Sequence, residues 1–173
     1  MIILRDAQFS DHVAIAKLHA ASWQQHYRGI MSDYFLDKEV EQDRLNVWHQ
    51  RLQSPRANQK MLLATLAENI VGFSCFYLNS DPVFGSYIDN LHVAKELQKS
   101  GVGALLLKES AKYIKSSADL PNMYLWVYEL NKNARAFYDR LGGKNFQTIE
   151  TENIDKTKAQ VCRYIWEDVS SIL

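Results

Sequence analysis

Apolar positions recur along the chain with two periods, and their order sets out the elements. Ile2 to Arg5 reads as a short β-like opening. Ser10 then caps a helix in which Val13, Ala14, Ala16, Ala20 and Ala21 suit packing on a sheet, ending near Tyr27 with Gly29 as its stop. Leu36, Val40, Leu45, Trp48 and Leu52 mark a second helix, closed by Ser54-Pro55, whose acids Asp37, Glu39, Glu41 and Asp43 read as a solvated face. The runs 60–67 and 70–78 flank Glu68-Asn69 as a hairpin, Asn79 to Pro82 turns again, and a strand runs from about Phe84 to Val93. A third helix buries Val102, Leu105, Leu106, Tyr113 and Ile114. A strand over 122–129 follows, then a helix capped by Asn131 and ended by Gly142, then a hairpin of 146–152 with 159–166. The predicted order is β-α-α-β-β-β-α-β-α-β-β, an α+β chain with one strand, helix, strand crossover.

That crossover carries Gln98-x-x-Gly101-x-Gly103 where its helix begins. Glycines there let a ligand approach the backbone, and the consecutive N–H groups of a helix start favour an anion. A P-loop needs Gly-Lys-Ser/Thr, whereas Gly103 is followed by Ala104-Leu105. A dinucleotide fingerprint needs a third glycine at position 106, which is leucine, and an acid after the next strand, where Asp119 instead precedes it.

Composition narrows the partners. A length of 173 residues fits one domain over 1–173, and 47% apolar with 23% charged residues is ordinary for a globular chain. The formal net charge of zero lacks the basic field of a nucleic-acid binder. No apolar run approaches the roughly 18 residues that span a bilayer, so the expectation is a soluble, cytoplasmic protein with no membrane partner. Cys75 and Cys162 lie far apart in apolar runs and read as buried thiols. His12, His19 and His26 recur every seven residues, about 10.5 Å of helix rise, too far apart to share one metal ion.

Three patterns in order and spacing, Asp89-Asn-Leu-His-Val, Gln98-x-x-Gly101-x-Gly103 and Asn131-x-x-Ala134-x-x-Phe137-Tyr138-x-x-Leu141-Gly142, resemble the GNAT superfamily of acetyl-CoA-dependent N-acetyltransferases. The resemblance covers nearly the whole chain. It implies the GNAT fold, a mixed, mostly antiparallel sheet flanked by helices. It also implies acetyl-CoA as co-substrate without a metal, direct transfer in a ternary complex, and an amine acceptor; a homodimer is compatible with it. Trp23-x-x-x-Tyr27-Arg28-Gly29 is similar to one branch whose members acetylate varied amines. Gly143 departs from the family pattern, in which an aromatic commonly follows the glycine.

By the same resemblance, Gln98, Lys99, Ser100, Gly101, Val102, Gly103 and Ala104 would cradle the pyrophosphate, while Leu91, His92 and Val93 would pair with the pantetheine arm through their backbone. Amine attack on a thioester builds an oxyanion, and a strand N–H near Leu91 or Val93 would stabilise it, a contact worth about 2.7–4 kcal/mol. Tyr138 matches the family's general acid; the competing reading is a half-buried helix aromatic. Asn131 reads as a helix cap and Asn133 as a coenzyme contact. An alkylammonium is only about 0.04% neutral at pH 7, so a base or a water relay is needed. Many relatives place a glutamate where Tyr87 stands. Asp89, expected on one strand face with Tyr87, Leu91 and Val93, is a candidate base or a backbone-bonded carboxylate; His92 is expected on the opposite face, and His26 is a second candidate. Trp23, Tyr27, Arg28, Trp126 and Tyr128 would wall an aromatic acceptor pocket, with Arg28 offering a fork to a carboxylate. Trp23 and Tyr27 can equally anchor a helix end. A non-catalytic acyl-CoA sensor and a peptide or protein N-acetyltransferase stay open beside the small-molecule enzyme.

Overall fold

The computed structural model describes residues 1–173. Seven strands, β1 (Ile3–Asp6), β2 (Gln59–Leu66), β3 (Asn69–Asp81), β4 (Gly85–Val93), β5 (Met123–Tyr128), β6 (Lys144–Glu152) and β7 (Lys158–Trp166), form one sheet in the order β1-β2-β3-β4-β5-β7-β6. Neighbours are antiparallel except β4 and β5. A parallel pair needs a crossover, and the helix α3 (Val102–Ser117) supplies it. α1 (His12–His26) and α2 (Val40–Gln53) cover one face, where Ile15, Ala16 and Trp48 pack on Leu63, Phe73 and Cys75. α3 covers the other, with Leu107, Ala111 and Ile114 against Phe76, Ile88 and Leu125. α4 (Lys132–Arg140) adds Tyr138 to that second cluster. No helix is long and apolar enough to cross a membrane.

The expected order of strands and helices is the observed one, with local shifts. The first hairpin turns at Ala67-Glu68, both at positive φ (46° and 68°), one residue before the expected centre, because Asn69 already pairs with Leu66. β3 runs through the expected turn at Asn79 and reverses over Pro82–Phe84, where Asp81 Oδ1 accepts the N–H groups of Val83 (2.8 Å) and Phe84 (2.9 Å). The second helix opens with a π-helical turn over Phe35–Glu39 before α2 begins.

Gly143 explains its own departure from the expected pattern. The buried indole of Trp166 lies against it, anchored by Nε1 donating to the Leu141 carbonyl at 2.8 Å, so the ring from β7 fills the space of a side chain at 143. A Cβ there would stand 2.6 Å from Trp166 Cζ2. Gly143→Ala is therefore expected to lose about 1–3 kcal/mol in urea unfolding, by overpacking.

α1 is seated on β4 by a histidine pair. His19, fully buried, and His92 have ring centroids 4.3 Å apart. Trp48 Nε1 donates to His19 Nδ1 at 2.9 Å, and Ser22 Oγ lies 2.8 Å from His92 Nδ1. Burial first, and nearby cationic groups second, lower the pKa of His19 well below the ordinary value and push His92 down to about 3. Both rings stay neutral in the fold while the unfolded chain takes up protons near pH 6.5, so their contribution is present above that pH and is lost as pH falls towards 3. In acid unfolding, His92→Gln is expected to flatten the decline by up to about 1.4 kcal/mol per pH unit between those limits.

Candidate active site

β4 and β5 pair at only three positions, Ser86 with Met123, Tyr87 with Tyr124 and Ile88 with Leu125. Beyond them the strands part, and a cleft of about 920 Å³ opens between them. The divergence starts at a β-bulge: Phe76 pairs with Ile88 but Cys75 with Asn90, leaving Asp89 as the extra residue. An extra residue bends the strand and reverses its alternation. Tyr87 packs on the α1–α2 side, where Asp89 pairs with Arg51 of α2 and His92 meets His19, whereas Leu91 and Val93 join the clusters under α3. The expected common face of Asp89, Leu91 and Val93 is thus corrected: Asp89 and His92 share a side, and Leu91 and Val93 have the other.

At one end of the cleft stands the glycine turn. Gly101 adopts a left-handed conformation (φ +94°) as the N-cap of α3. Ser100 N–H bonds the Leu97 carbonyl and Leu105 N–H bonds Gly101, but the N–H groups of residues 101 to 104 have no acceptor in the chain. Gly101, Gly103, Ala104, Gln98 and Lys99 line the cleft. The Gly103 Cα faces Phe137 of α4, 3.5 Å from where a Cβ would lie. Gln98 bridges to α1, with Nε2 3.1 Å from His26 Nε2. Val102 turns its side chain into the core beside Ala64 and Leu106, and the Ser100 hydroxyl bonds the Leu97 carbonyl at 2.6 Å, so neither side chain lines the cleft.

Across the cleft, Asn131 caps α4 through its side chain, accepting from Ala134 N–H at 3.2 Å, and Asn133 follows on the rim. Tyr138, 8% exposed, lies among Phe137, Tyr164 and Trp166, yet lines the cleft and has no hydrogen-bond partner in the chain. Burial raises its pKa, keeping the phenol protonated at neutral pH. Both the acid reading and the packed-aromatic reading have their geometry here.

The opposite end is aromatic. Trp23 and Tyr27 at the close of α1 are 5.4 Å apart, and Tyr27 meets Tyr128 edge-on at 4.8 Å. The Tyr128 hydroxyl donates to Asn153 at 2.6 Å, and burial pushes its pKa up to about 12. Trp126 lines the cleft under the Arg163 guanidinium, 4.5 Å away. The turn after α1 is pinned from across the sheet: Ser32 N–H donates to Asp155 (2.6 Å), and the Ile30 carbonyl accepts from Thr157 Oγ1 (3.2 Å) and Asn153 Nδ2 (3.4 Å).

Arg28 is absent from this wall. Asp33 accepts from it at 2.8 Å and Asp37 closes the pair, holding the guanidinium outward. Two other arginines take the interior. Arg44, 8% exposed, stacks on Trp23 with its guanidinium carbon 4.2 Å from the ring centroid. Arg51 Nη1 donates to Asp89 at 2.6 Å and to Asn90 at 3.1 Å. Burial, the largest single influence, opposes the Arg51 charge, but Asp89 together with Tyr77 and Cys75 outweighs it and the pKa ends above the ordinary value. Their signal was in the sequence: Val40, Arg44, Trp48 and Arg51 follow the spacing of one helical stripe. Cys75 is buried, and burial with the Asp89 charge pushes its thiol up to about 12, so it carries no thiolate.

The family model described as acetyltransferase (GNAT) family matches residues 18–143. A probable N-acetyltransferase of Mycobacterium tuberculosis is 32% identical over 140 residues, 80% of this chain and 78% of that one. In fold, the chain is similar to the PaiA N-acetyltransferase of Thermoplasma acidophilum in complex with coenzyme A (TM-score 0.73, 20% identity, 96% of this chain and 99% of that one). It is also similar to a GCN5-related N-acetyltransferase of Rhodopseudomonas palustris (TM-score 0.73, 21% identity, 94% and 93%). With a family match over most of its length and a relative of that identity, the chain belongs to the acetyltransferase (GNAT) family and is an N-acetyltransferase.

Proposed function

We propose that the protein transfers the acetyl group of acetyl-CoA directly to a primary amine of a small molecule or amino acid, both substrates being held in the one cleft. The observation that carries this reading is the convergence on that cleft of a row of unpartnered N–H groups, an unpaired strand edge and a phenol without a partner. Residues 101 to 104 suit a pyrophosphate: four free N–H groups at a helix start, with Lys99 beside them. Past Ile88 β4 has no partner on the β5 side, so backbone groups of Leu91 to Val93 are available to an extended ligand and to the developing oxyanion. Complex formation between the two substrates needs no covalent relay, in keeping with a buried Cys75 that stays a thiol.

Tyr138 is proposed to protonate the leaving thiolate. It lines the cleft as a phenol kept protonated by burial, and its hydroxyl makes no competing bond. Asp89 is proposed to accept the amine's proton through a water. Its carboxylate stands in the cleft wall on the α1–α2 side, where Arg51 Nη1 holds it in place at 2.6 Å. His92, neutral down to about pH 3, is a weak base at this site.

The expected outcome of an acetyl-CoA turnover screen over amino acids, polyamines, aminoglycosides and peptides is acetylation of at least one small amine. Tight coenzyme binding with no turnover of any class would instead favour a sensor. With an acceptor in hand, Tyr138→Phe should lower kcat by roughly 100-fold with little change in coenzyme binding, and an unchanged kcat would remove the acid role. Asp89→Asn should reduce kcat/KM most at low pH and leave the profile rising towards the amine's own pKa near 10.4; a profile superimposable on that of the native enzyme would exclude Asp89 as base.

A further inference from the structure

Five charged side chains line the cleft: Arg44, Arg51, Lys99 and Arg140 are cationic, and Asp89 alone is acidic. Lys99 belongs to the glycine turn and Arg140 to the end of α4. Asp89 is matched by Arg51. No free carboxylate therefore remains in the cleft wall to hold a second ammonium group, since Asp89 is taken by Arg51 and Asp43, behind the wall, by Arg44.

Arg44 is built to meet an anion. Asp43 accepts from its Nε (2.7 Å) and Nη2 with a single oxygen, which fixes the guanidinium, while Nη1 makes no hydrogen bond. Its face lies on Trp23, which prevents swinging, and its charge is felt by Tyr27, Tyr128 and His92, placing it at the aromatic end of the cleft. Beside it, the Trp23 indole N–H is buried and has no partner. A buried donor left unpaired costs on the order of 1–3 kcal/mol, so the Trp23 N–H, stacked beside a guanidinium whose Nη1 makes no hydrogen bond, asks for an acceptor oxygen. With the Nε edge of Arg44 taken by Asp43, the remaining Nη1 and the neighbouring indole N–H, side by side in a partly desolvated wall, suit the two oxygens of a carboxylate.

We propose that the acceptor is an amino acid, an amine whose carboxylate is held by Arg44 Nη1 and the Trp23 indole N–H while its amino group faces Asp89. This inference rests on the acetyl-transfer reading above and narrows it to one substrate class. It also moves the carboxylate-binding role from Arg28, which faces outward, to a residue of α2.

The test uses the full-length enzyme with acetyl-CoA and the proteinogenic amino acids, each paired with its decarboxylated amine, such as phenylalanine with phenethylamine and lysine with cadaverine; spermidine serves as the polycation. Expected is a preference of about 10-fold or more in kcat/KM for the amino acid of at least one pair. Arg44→Met should abolish that preference mainly through KM, with turnover of the decarboxylated amine retained, and Arg44→Lys should restore part of it. Trp23→Phe, which keeps an aromatic face and removes the N–H, should weaken the preference without touching coenzyme binding. Equal or better use of the decarboxylated amines, or a preference unchanged in Arg44→Met, would overturn the inference and leave acetyl transfer standing. Should no amine be acetylated, the acetyl-transfer reading fails, and calorimetry on the same pairs decides the inference separately: binding that does not depend on the carboxylate and on Arg44 overturns it. Circular dichroism of each variant verifies the fold, and Trp23→Phe carries the test if Arg44→Met does not fold.

Discussion

The parting of β4 from β5 is the constraint on which the rest of the molecule depends. β4 is paired along most of its length with β3, and β5 is paired along all of its length with β7, so each half of the sheet is internally satisfied. Only three residue pairs join the halves. Buried backbone groups normally demand partners, and the exposed inner edge of β4 is tolerable because it lines an open cleft rather than a core. The bulge at Asp89 supplies the bend that starts the separation, and α3 bridges beneath it to deliver the glycine turn at one end.

The two ends of this cleft differ in how they present charge. At the glycine turn the donors are backbone N–H groups at a helix start, with a lysine alongside, which suits a large diffuse anion. At the other end the charge comes from guanidinium groups held flat against aromatic rings or neutralised by Asp89, a more directional arrangement. Between them stands Tyr138, whose burial keeps it a neutral donor. The donors without a partner in the chain, the N–H groups of 101–104, the Tyr138 hydroxyl and the Trp23 indole, are spaced along this path, which limits the ways in which a ligand can lie.

Much of this was legible in the chain because local rules and tertiary demands agreed. The glycine turn, the Asn131 cap and the order of the elements each follow from short patterns that need no knowledge of distant contacts. What periodicity could not supply was parity. A strict two-residue alternation put Asp89 with Leu91 and Val93, and a single bulged residue undid it; nothing in Asp89-Asn90 marks a bulge by composition. Arg28 was misplaced for a related reason: its ion pairs with Asp33 and Asp37 depend on how the chain turns after Gly29, which short-range spacing does not fix. Arg44 and Arg51 were passed over because charge on a helix is ordinarily solvated, although their spacing with Val40 and Trp48 put them on the buried stripe.

The bonds joining Ser32 and Ile30 to the β6–β7 loop tie together the two halves of the sheet that otherwise meet at three strand pairs. The turn after α1 belongs to the first half and the 153–157 loop to the second, so these bonds act as a clasp across the mouth of the aromatic end. At the glycine turn the link across the cleft is packing rather than bonding: Gln98 bonds His26 of its own half, and Gly103 stands against Phe137 of α4. The aromatic end is consequently shaped before a ligand arrives, and a wall held in this way has less freedom to lose on binding.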